Sequence, residues 1–584
     1  MVHMSEKEYK SFIRALNKWN ALYDENEMMV KKPFSSPGYH TKLKEEFVHP
    51  TRDSLSYAVA LLDSGIEKYR LRAIDILKKV ISLQDKNPSH DTYGIWSWFY
   101  EEPLDKMSPP DWNWADFCGK ELLQVASDHK SRIPGDIFNT VKSSILCACK
   151  SIMKRNMGPH YTNISIMGTY VTLFAGELFG EDEIFSYAKK RLIGLHKYNM
   201  DNGDFTEYNS PTYTMVALED ISRMLNQIKD KECIRMIKDL NDMGWRCMAH
   251  HFHQPTGQWS GPHSRCYSSI QGKELWSKIQ LSVGEGLQLL PEDEVEAGIE
   301  TYRIRLRCPD KYKVYFEKFC GARTEKSIYV KKSSGRKSET AICYIDKYYS
   351  IGTFYKSDFW NQRRAFVAYF GTRERPICLR LRCLHDGYDY SSGTICSVQS
   401  KGRVLSAINF ATDGGDTHCN LDMVENATIG AKDLRLRFEI TGLREENGVP
   451  SKWTDGCISI ASENVILKLK VLYSSFGDND ICYKVQNEDG KIYLDIILYS
   501  GEKKNICFKD LKASCTMAFF IGSIKEDVDA SDAICQINDN NIRTIWKEND
   551  EVLKIDSPVK CGTFDTLYRS CIGYVNDKEF DEDR

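Results

Sequence analysis

Four separated stretches of this sequence collect the side chains that do acid, base and anion chemistry. They are PPDWNWADF (Pro109–Phe117), HYTNIS (His160–Ser165), NGDFTEYNSPTYT (Asn202–Thr214) and WSGPHSRCY (Trp259–Tyr267). Together they supply an amide (Asn163), phenols (Tyr208, Tyr213, Tyr267), an imidazole (His263) and a guanidinium (Arg265), with His160 beside the amide. One reaction uses such a set without a metal: β-elimination from a uronic acid in a glycan. The proton on C5 is weakly acidic, so its loss requires the adjacent carboxylate to be neutralised by hydrogen bonds or positive charge. Asn163 and Arg265 suit that task, and His263 and Tyr213 suit the base that removes the proton and the acid that protonates the leaving oxygen. A phenol with a reference pKa of about 10 works as a base only where a helix N-terminus and a nearby cation favour the phenolate.

The elements that must bring these stretches together are helical. From about residue 5 to 290, runs such as SLSYAVALLDSG, DIFNTVKSSILCACKSIMKRN, SIMGTYVTLFAGELFG and TMVALEDISRMLNQI carry apolar residues at i, i+3, i+4 and i+7. Helix starts are expected at Asp116, Asn163 and Ser210, each 47 residues after the last, and a fourth follows GPHSRCYSS. Ser210-Pro211 is a strong start signal, because serine caps free N–H groups and proline suits the first helical position. Each interval holds one αα-hairpin, so alternate helices run the same way and their N-terminal loops open at one rim. From about residue 300 to 575 the pattern alternates as strands do, in YRIRLRC, KSIYVKK, AICYIDKYYSIGTF, RAFVAYFG, LRLRFEITG and KIYLDIILYS. The expected fold is α+β and multidomain: a helical domain over 1–290, a break in the acidic segment Leu289–Gly298, then antiparallel sheets over 299–584.

The run Asn202–Tyr213 resembles the DG-x-x-x-E-x-SP-x-Y stretch of heparinase II/III-like and related alginate lyases. The resemblance implies an (α/α) toroid followed by a β-sandwich. It makes Tyr213 the catalytic acid, Asn163 the group that neutralises the uronate, and His263 the base or its partner. This sequence departs from the pattern at three points: Asn202 replaces an aspartate, Thr214 stands where a histidine is common, and the spacing before Pro211 is one residue longer.

A glycoside hydrolase on the same scaffold is the alternative, using Asp111 or Asp116 with Asp204 or Glu207 as its two carboxylic acids. Glu207 also reads as a hydrogen-bond acceptor in the binding site, and Asp116 as a helix cap. A non-catalytic carbohydrate-binding protein is the third reading. Trp112 and Trp114 sit among prolines and aspartates, and are the tryptophans expected to stack on sugar rings. In FWNQRRAFVAYFGTRERP (Phe359–Pro376), strand alternation would send Arg363 and Arg364 to opposite faces, so one of them, taken as Arg364, is a candidate for an acidic sugar. No catalytic metal or cofactor is expected. His250 and His253 share a helical face without a third ligand, His385-Asp386 and His418-Cys419 are isolated, and the cysteines at 378 and 383 lack a second pair. No phosphate-binding glycine loop is present.

The net charge of −3 speaks against broad attraction to nucleic acid or to an anionic membrane, so the expected partner is an acidic oligosaccharide or polysaccharide. Self-association into a homo-oligomer is left open. The first thirty residues lack an apolar signal core and the 20 cysteines form no disulfide framework, which places the expected chain in the cytoplasm unless MVHM marks a trimmed leader.

Overall fold

The computed structural model describes residues 4–331, 338–414, 424–443, 452–462, 464–526, 528 and 530–580. His418 and Cys419 lie outside the described residues. The helical part contains α1 (Glu6–Asn20), α2 (Thr51–Asp63), α3 (Glu67–Ser82), α4 (Trp114–Asp128), α5 (Gly135–Arg155) and α6 (Thr162–Phe179). It continues with α7 (Asp182–Asn202), α8 (Tyr213–Gln227), α9 (Lys231–His251), α10 (Lys273–Val283), α11 (Thr301–Ile304) and α12 (Asp310–Glu317). Helices α2, α4, α6 and α8 pack side by side as an inner layer, and α3, α5, α7 and α9 back them. The apolar stripes meet between the layers in a core that includes Leu55, Leu77, Leu122, Ile145, Val171 and Leu192.

The inner helices bury polar side chains on the face opposite that core. Gln124 of α4 donates to the Tyr170 hydroxyl of α6, which donates to Gln227 of α8 over 2.7 Å; Gln227 returns a bond to Gln124 over 3.1 Å. This closed triangle marks the axis on which three inner helices converge. One level up, Lys120 Nζ lies 3.7 Å from Asp220, which Arg223 also pairs with at 2.6 Å. At the base, Arg303 of α11 donates to Asp63 of α2 over 2.9 Å and to Asp128 of α4 over 2.5 Å, tying the ends of two inner helices together. Helices that converge in this way deliver their N-terminal residues to one rim.

The segment read as a strand at Tyr302–Cys308 is instead the short helix α11 and a connector, and helices persist to Glu317. Its alternation served the axial network: Arg303 is 8 % exposed because its guanidinium fills the base of the helical layer. From Arg323 onward the described elements are mainly antiparallel strands. A nine-stranded sheet runs from Cys482–Glu488 through Lys491–Cys507, Thr428–Thr441, Pro376–His385, Phe366–Gly371, Tyr349–Phe354 and Glu339–Ile345 to Arg323–Val330, with Tyr388–Asp389 as the ninth strand beside Pro376–His385. A six-stranded sheet, with Arg403–Phe410 and Ala513–Ser523 at its centre, shares one core with it, where Phe366 packs edge-on to Phe519 at 5.0 Å. A five-stranded sheet near the C-terminus covers the outer face of the six-stranded one through Trp546, Leu553 and Ile555. Among the described residues no helix is long and apolar enough to cross a membrane.

Candidate active site

Tyr213 is the first residue of α8, and its backbone N–H is capped by the Ser210 hydroxyl at 3.0 Å. The same hydroxyl donates to the Arg265 carbonyl over 2.7 Å, so one serine ties the start of the helix to the loop that carries the guanidinium. The Tyr213 hydroxyl lies 2.7 Å from the Tyr267 hydroxyl. The Arg265 guanidinium lies over the Tyr213 ring at 4.2 Å and donates to Tyr267 over 3.4 Å. Arg265 also donates to Glu207 over 3.1 Å and to Gln362 over 2.9 Å. The other oxygen of Glu207 accepts the backbone N–H of Asn163 at 2.8 Å, which joins the starts of α6 and α8. Asn163, Glu207, Tyr213, Arg265 and Tyr267 thus form one connected cluster.

Burial dominates its electrostatics. It lifts the Tyr213 phenol well above the ordinary tyrosine range, and the Arg265 charge opposes that only in part. Burial also lifts the Glu207 carboxyl against the pull of Arg265. It works against the cation of Arg265, yet the charges of Tyr213 and Glu207 outweigh it and hold the guanidinium above its usual value. Tyr213 is therefore a proton donor at neutral pH, next to a permanent cation. Asn163 is 1 % exposed, and its amide oxygen has no hydrogen-bond partner among the described residues. A half-turn of that side chain exchanges oxygen for nitrogen, so the position can offer either an acceptor or a donor.

The loop that presents Arg265 is laid directly on the nine-stranded sheet. His263 and Arg364 exchange backbone hydrogen bonds of 3.2 and 2.9 Å, the Cys266 N–H donates to the Gln362 carbonyl at 2.5 Å, and the Ser260 hydroxyl donates to Ser350 at 2.7 Å. Gly261 and Gly352 allow this approach: a Cβ on Gly352 would overlap the Gly261 carbonyl, and one on Gly261 would overlap Val367. His263 belongs to this seam. It is fully buried, its Nδ1 lies 2.6 Å from the Asn209 carbonyl, and its Nε2 has no partner among the described residues. Burial pushes its pKa down to about 3, so the ring is neutral. Tyr208 is also a seam residue, stacked on Tyr329 at 4.7 Å with its hydroxyl 3.0 Å from His251.

Arg364 is 3 % exposed and donates to the Asn361 carbonyl over 2.6 Å. Residues Phe359–Arg364 form a turn rather than a strand, so strand alternation does not govern Arg363 and Arg364; Gln362 is the residue of this turn that reaches the cluster. His160 is exposed, and Trp112 spends its indole N–H on the Asp91 carbonyl at 3.0 Å. Trp114 stacks on Trp98 at 5.1 Å and donates to Thr51 at 3.1 Å. Gln362 lies within Phe359–Pro376, where no local pattern distinguishes it from its neighbours.

The carboxylates considered for hydrolysis are all buried. Asp111 accepts from the Trp98 indole at 3.1 Å and the Asn113 N–H at 3.0 Å, and Glu207 is held by Arg265 and Asn163. Asp116 points between helices, where a Cβ on Gly168 of α6 would lie 2.5 Å from its oxygen, and burial pushes its pKa up to about 7. Asp204 is 4 % exposed, and burial pushes it up to about 7 as well. Among the described residues no group of three or more His, Cys, Asp or Glu side chains is placed to hold a metal ion. His250 lies 3.3 Å from Glu325, His251 faces Tyr208, and His253 lies 2.7 Å from Thr256.

Comparison with known proteins adds the following. Residues 20–279 match the family model of a domain of unknown function, DUF8769. No curated protein matches the sequence. A crystal structure of heparinase III aligns over 95 % of this chain and 91 % of its own, with 11 % identity and a TM-score of 0.45. The heparan sulfate lyase HepC from Pedobacter heparinus aligns over 87 % of this chain and 81 % of its own, with 8 % identity and a TM-score of 0.36. Endoglucanase CelQ from Clostridium thermocellum, complexed with cellotetraose, aligns over 89 % and 82 %, with 9 % identity and a TM-score of 0.28.

Proposed function

We propose that the protein is a lyase that cleaves a uronic-acid-containing oligosaccharide or polysaccharide by β-elimination. The observation that carries this reading is the pair of phenol oxygens, Tyr213 and Tyr267, 2.7 Å apart beneath the Arg265 guanidinium. In the competent form the pair holds one proton between its two oxygens, and Arg265 stabilises the charge. A uronate bound with its carboxylate toward Asn163 and Arg265 has its C5 acidity raised, because charge flowing onto the carboxylate meets an amide and a cation. One phenol oxygen takes the C5 proton. The C5–H electrons form the C4–C5 double bond, the C4–O bond breaks, and the proton held by the pair passes to the leaving oxygen. Glu207 and Gln362 hold the guanidinium in place from opposite sides and do not react. His263 acts from the seam, setting the loop that carries Arg265.

A panel of uronate polysaccharides and oligosaccharides, followed by the absorbance of the new conjugated double bond, tests the reading. A chromophore that appears with the wild-type protein and not with Tyr213→Phe supports it. Reducing ends without the chromophore point to hydrolysis, and binding without any product points to a carbohydrate-binding protein.

A further inference from the structure

Two thiols meet where the five-stranded sheet lies on the six-stranded one. Cys396 belongs to the strand Gly393–Ser400, and Cys571 immediately precedes the strand Ile572–Val575. Positions two apart on a strand share a face, so Cys396 points the same way as Val398. Val398 meets Gly573 at close range: a Cβ on that glycine would overlap its Cγ1. The Gly573 N–H donates to the Tyr355 hydroxyl over 2.9 Å and holds the approach. Two residues back from each partner of this contact stand Cys396 and Cys571, 2 % and 6 % exposed, in one apolar cluster. Their thiols are within hydrogen-bonding reach of each other. Both line one small cavity, whose other walls include Leu567, Tyr568 and Lys356, the cross-strand partner of Cys396.

A short helix, α13 (Phe564–Ser570), closes this cavity. Leu567 is its one buried residue, and Lys356 Nζ donates to the Tyr568 carbonyl over 2.9 Å. An element held by so little buried surface opens locally without unfolding the rest of the chain. While it is closed the pair is inert, because the neighbouring thiol and burial hold Cys571 well above the ordinary thiol range, against a smaller pull from the Lys356 charge. Opening admits water and leaves Lys356 beside the thiols, which favours the thiolate.

We propose that Cys396 and Cys571 are a redox-modifiable pair, closed into a disulfide by a small soluble disulfide such as oxidised glutathione that enters past an opened α13. One protein thiolate attacks a sulfur of the small disulfide, whose S–S bond breaks and releases one thiol. The second protein thiolate attacks the protein sulfur of the mixed disulfide and releases the other. The two protein thiols are oxidised, the small disulfide is reduced to two thiols, and the two protons lost by the protein balance those gained. The bridge fastens the five-stranded sheet to the six-stranded one and constrains the unfolded chain. This chemistry is independent of what the site at Tyr213 does.

The test equilibrates the full-length protein with oxidised or reduced glutathione, alkylates it, digests it without reduction and identifies the peptides by mass spectrometry. A Cys396–Cys571 linked peptide is expected in the oxidised buffer and is lost on adding dithiothreitol. The oxidised protein is expected to melt about 5 °C above the reduced one, and the difference to vanish in Cys571→Ala. Leu567→Ala, which loosens α13 and keeps both thiols, is expected to speed formation of the linked peptide about tenfold. Absence of the linked peptide, linkage of these thiols to other cysteines instead, or a melting difference that persists in Cys571→Ala overturns the pair. The peptide map uses the wild-type chain, so it decides the matter even if a variant fails to fold. A rate in folded Leu567→Ala equal to that of wild type overturns α13 as the way in.

Discussion

The helical layer and the sheets contribute to the candidate site in different ways. The helix starts supply the phenol of Tyr213 and the amide of Asn163, and the Glu207 carboxylate links them without reacting. The turn that leads into the nine-stranded sheet supplies geometry, through Gln362 and the backbone pairing of His263 with Arg364 that sets the approach of Arg265. Arg265 lies at the boundary, with Glu207 on its helical side and Gln362 on its sheet side. Chemistry and positioning thus belong to separate parts of the chain, so damage to either part has its own signature.

The largest effect should come from the helical side. Tyr213→Phe removes the proton donor and should lower the elimination rate about a thousandfold, within the usual range for acid–base groups, while thermal melting stays near wild type. A variant that keeps its rate would remove Tyr213 from the chemistry. The rate of the wild-type protein should also rise from neutral toward alkaline pH, because burial lifts the Tyr213 phenol and the competent pair must first lose a proton. A flat or falling profile over that range would contradict the singly protonated pair.

Arg265→Met, at the boundary, should show both signatures. Activity falls with the lost cation, and stability falls by about 3 kcal/mol because a buried Glu207 is left unpaired. Adding Glu207→Gln should restore much of the melting temperature and none of the activity; recovery of both would assign Arg265 to structure alone. Gln362→Ala, from the sheet side, should cost about tenfold in rate with little change in melting, the scale of one lost hydrogen bond to a charged group. A fall in stability without one in rate would mean that the sheet does not position the cation.

The smallest effect concerns the seam. His251, His253 and His263 are buried, and burial holds their folded pKa values at about 4, 4 and 3. Below the unfolded value of about 6.5 the unfolded chain takes up protons that these rings refuse. Each therefore makes stability fall as the pH falls, by up to about 1.4 kcal/mol per pH unit between 6.5 and its folded value. Asp116 and Asp204, lifted to about 7, push the opposite way over the same window. The readable quantity is thus the difference between wild type and His263→Gln in urea unfolding at pH 4.5 and 6.5, where the variant should have the smaller dependence.

Periodicity and capping signals made the helical layer legible. The starts expected at Asp116, Asn163 and Ser210 correspond to helices that begin at Trp114, Thr162 and Tyr213, and these are inner helices opening at one rim. That much follows from local physics: a 3.6-residue stripe, a serine or proline at a helix start, and alternation for strands are written in neighbouring residues. The sequence alone thus determined the order of helices and then sheets, and that Asn163 and Tyr213 stand at helix starts on an edge shared with the Arg265 loop. The tertiary structure alone decided which way the loop residues face. His263 and Arg265 are two positions apart, yet one closes the seam and the other enters the cluster, because the loop is pinned to Arg364 and Gln362, about a hundred residues downstream. Outside helices and strands no repeating geometry fixes side-chain direction, so contacts distant in the chain set it.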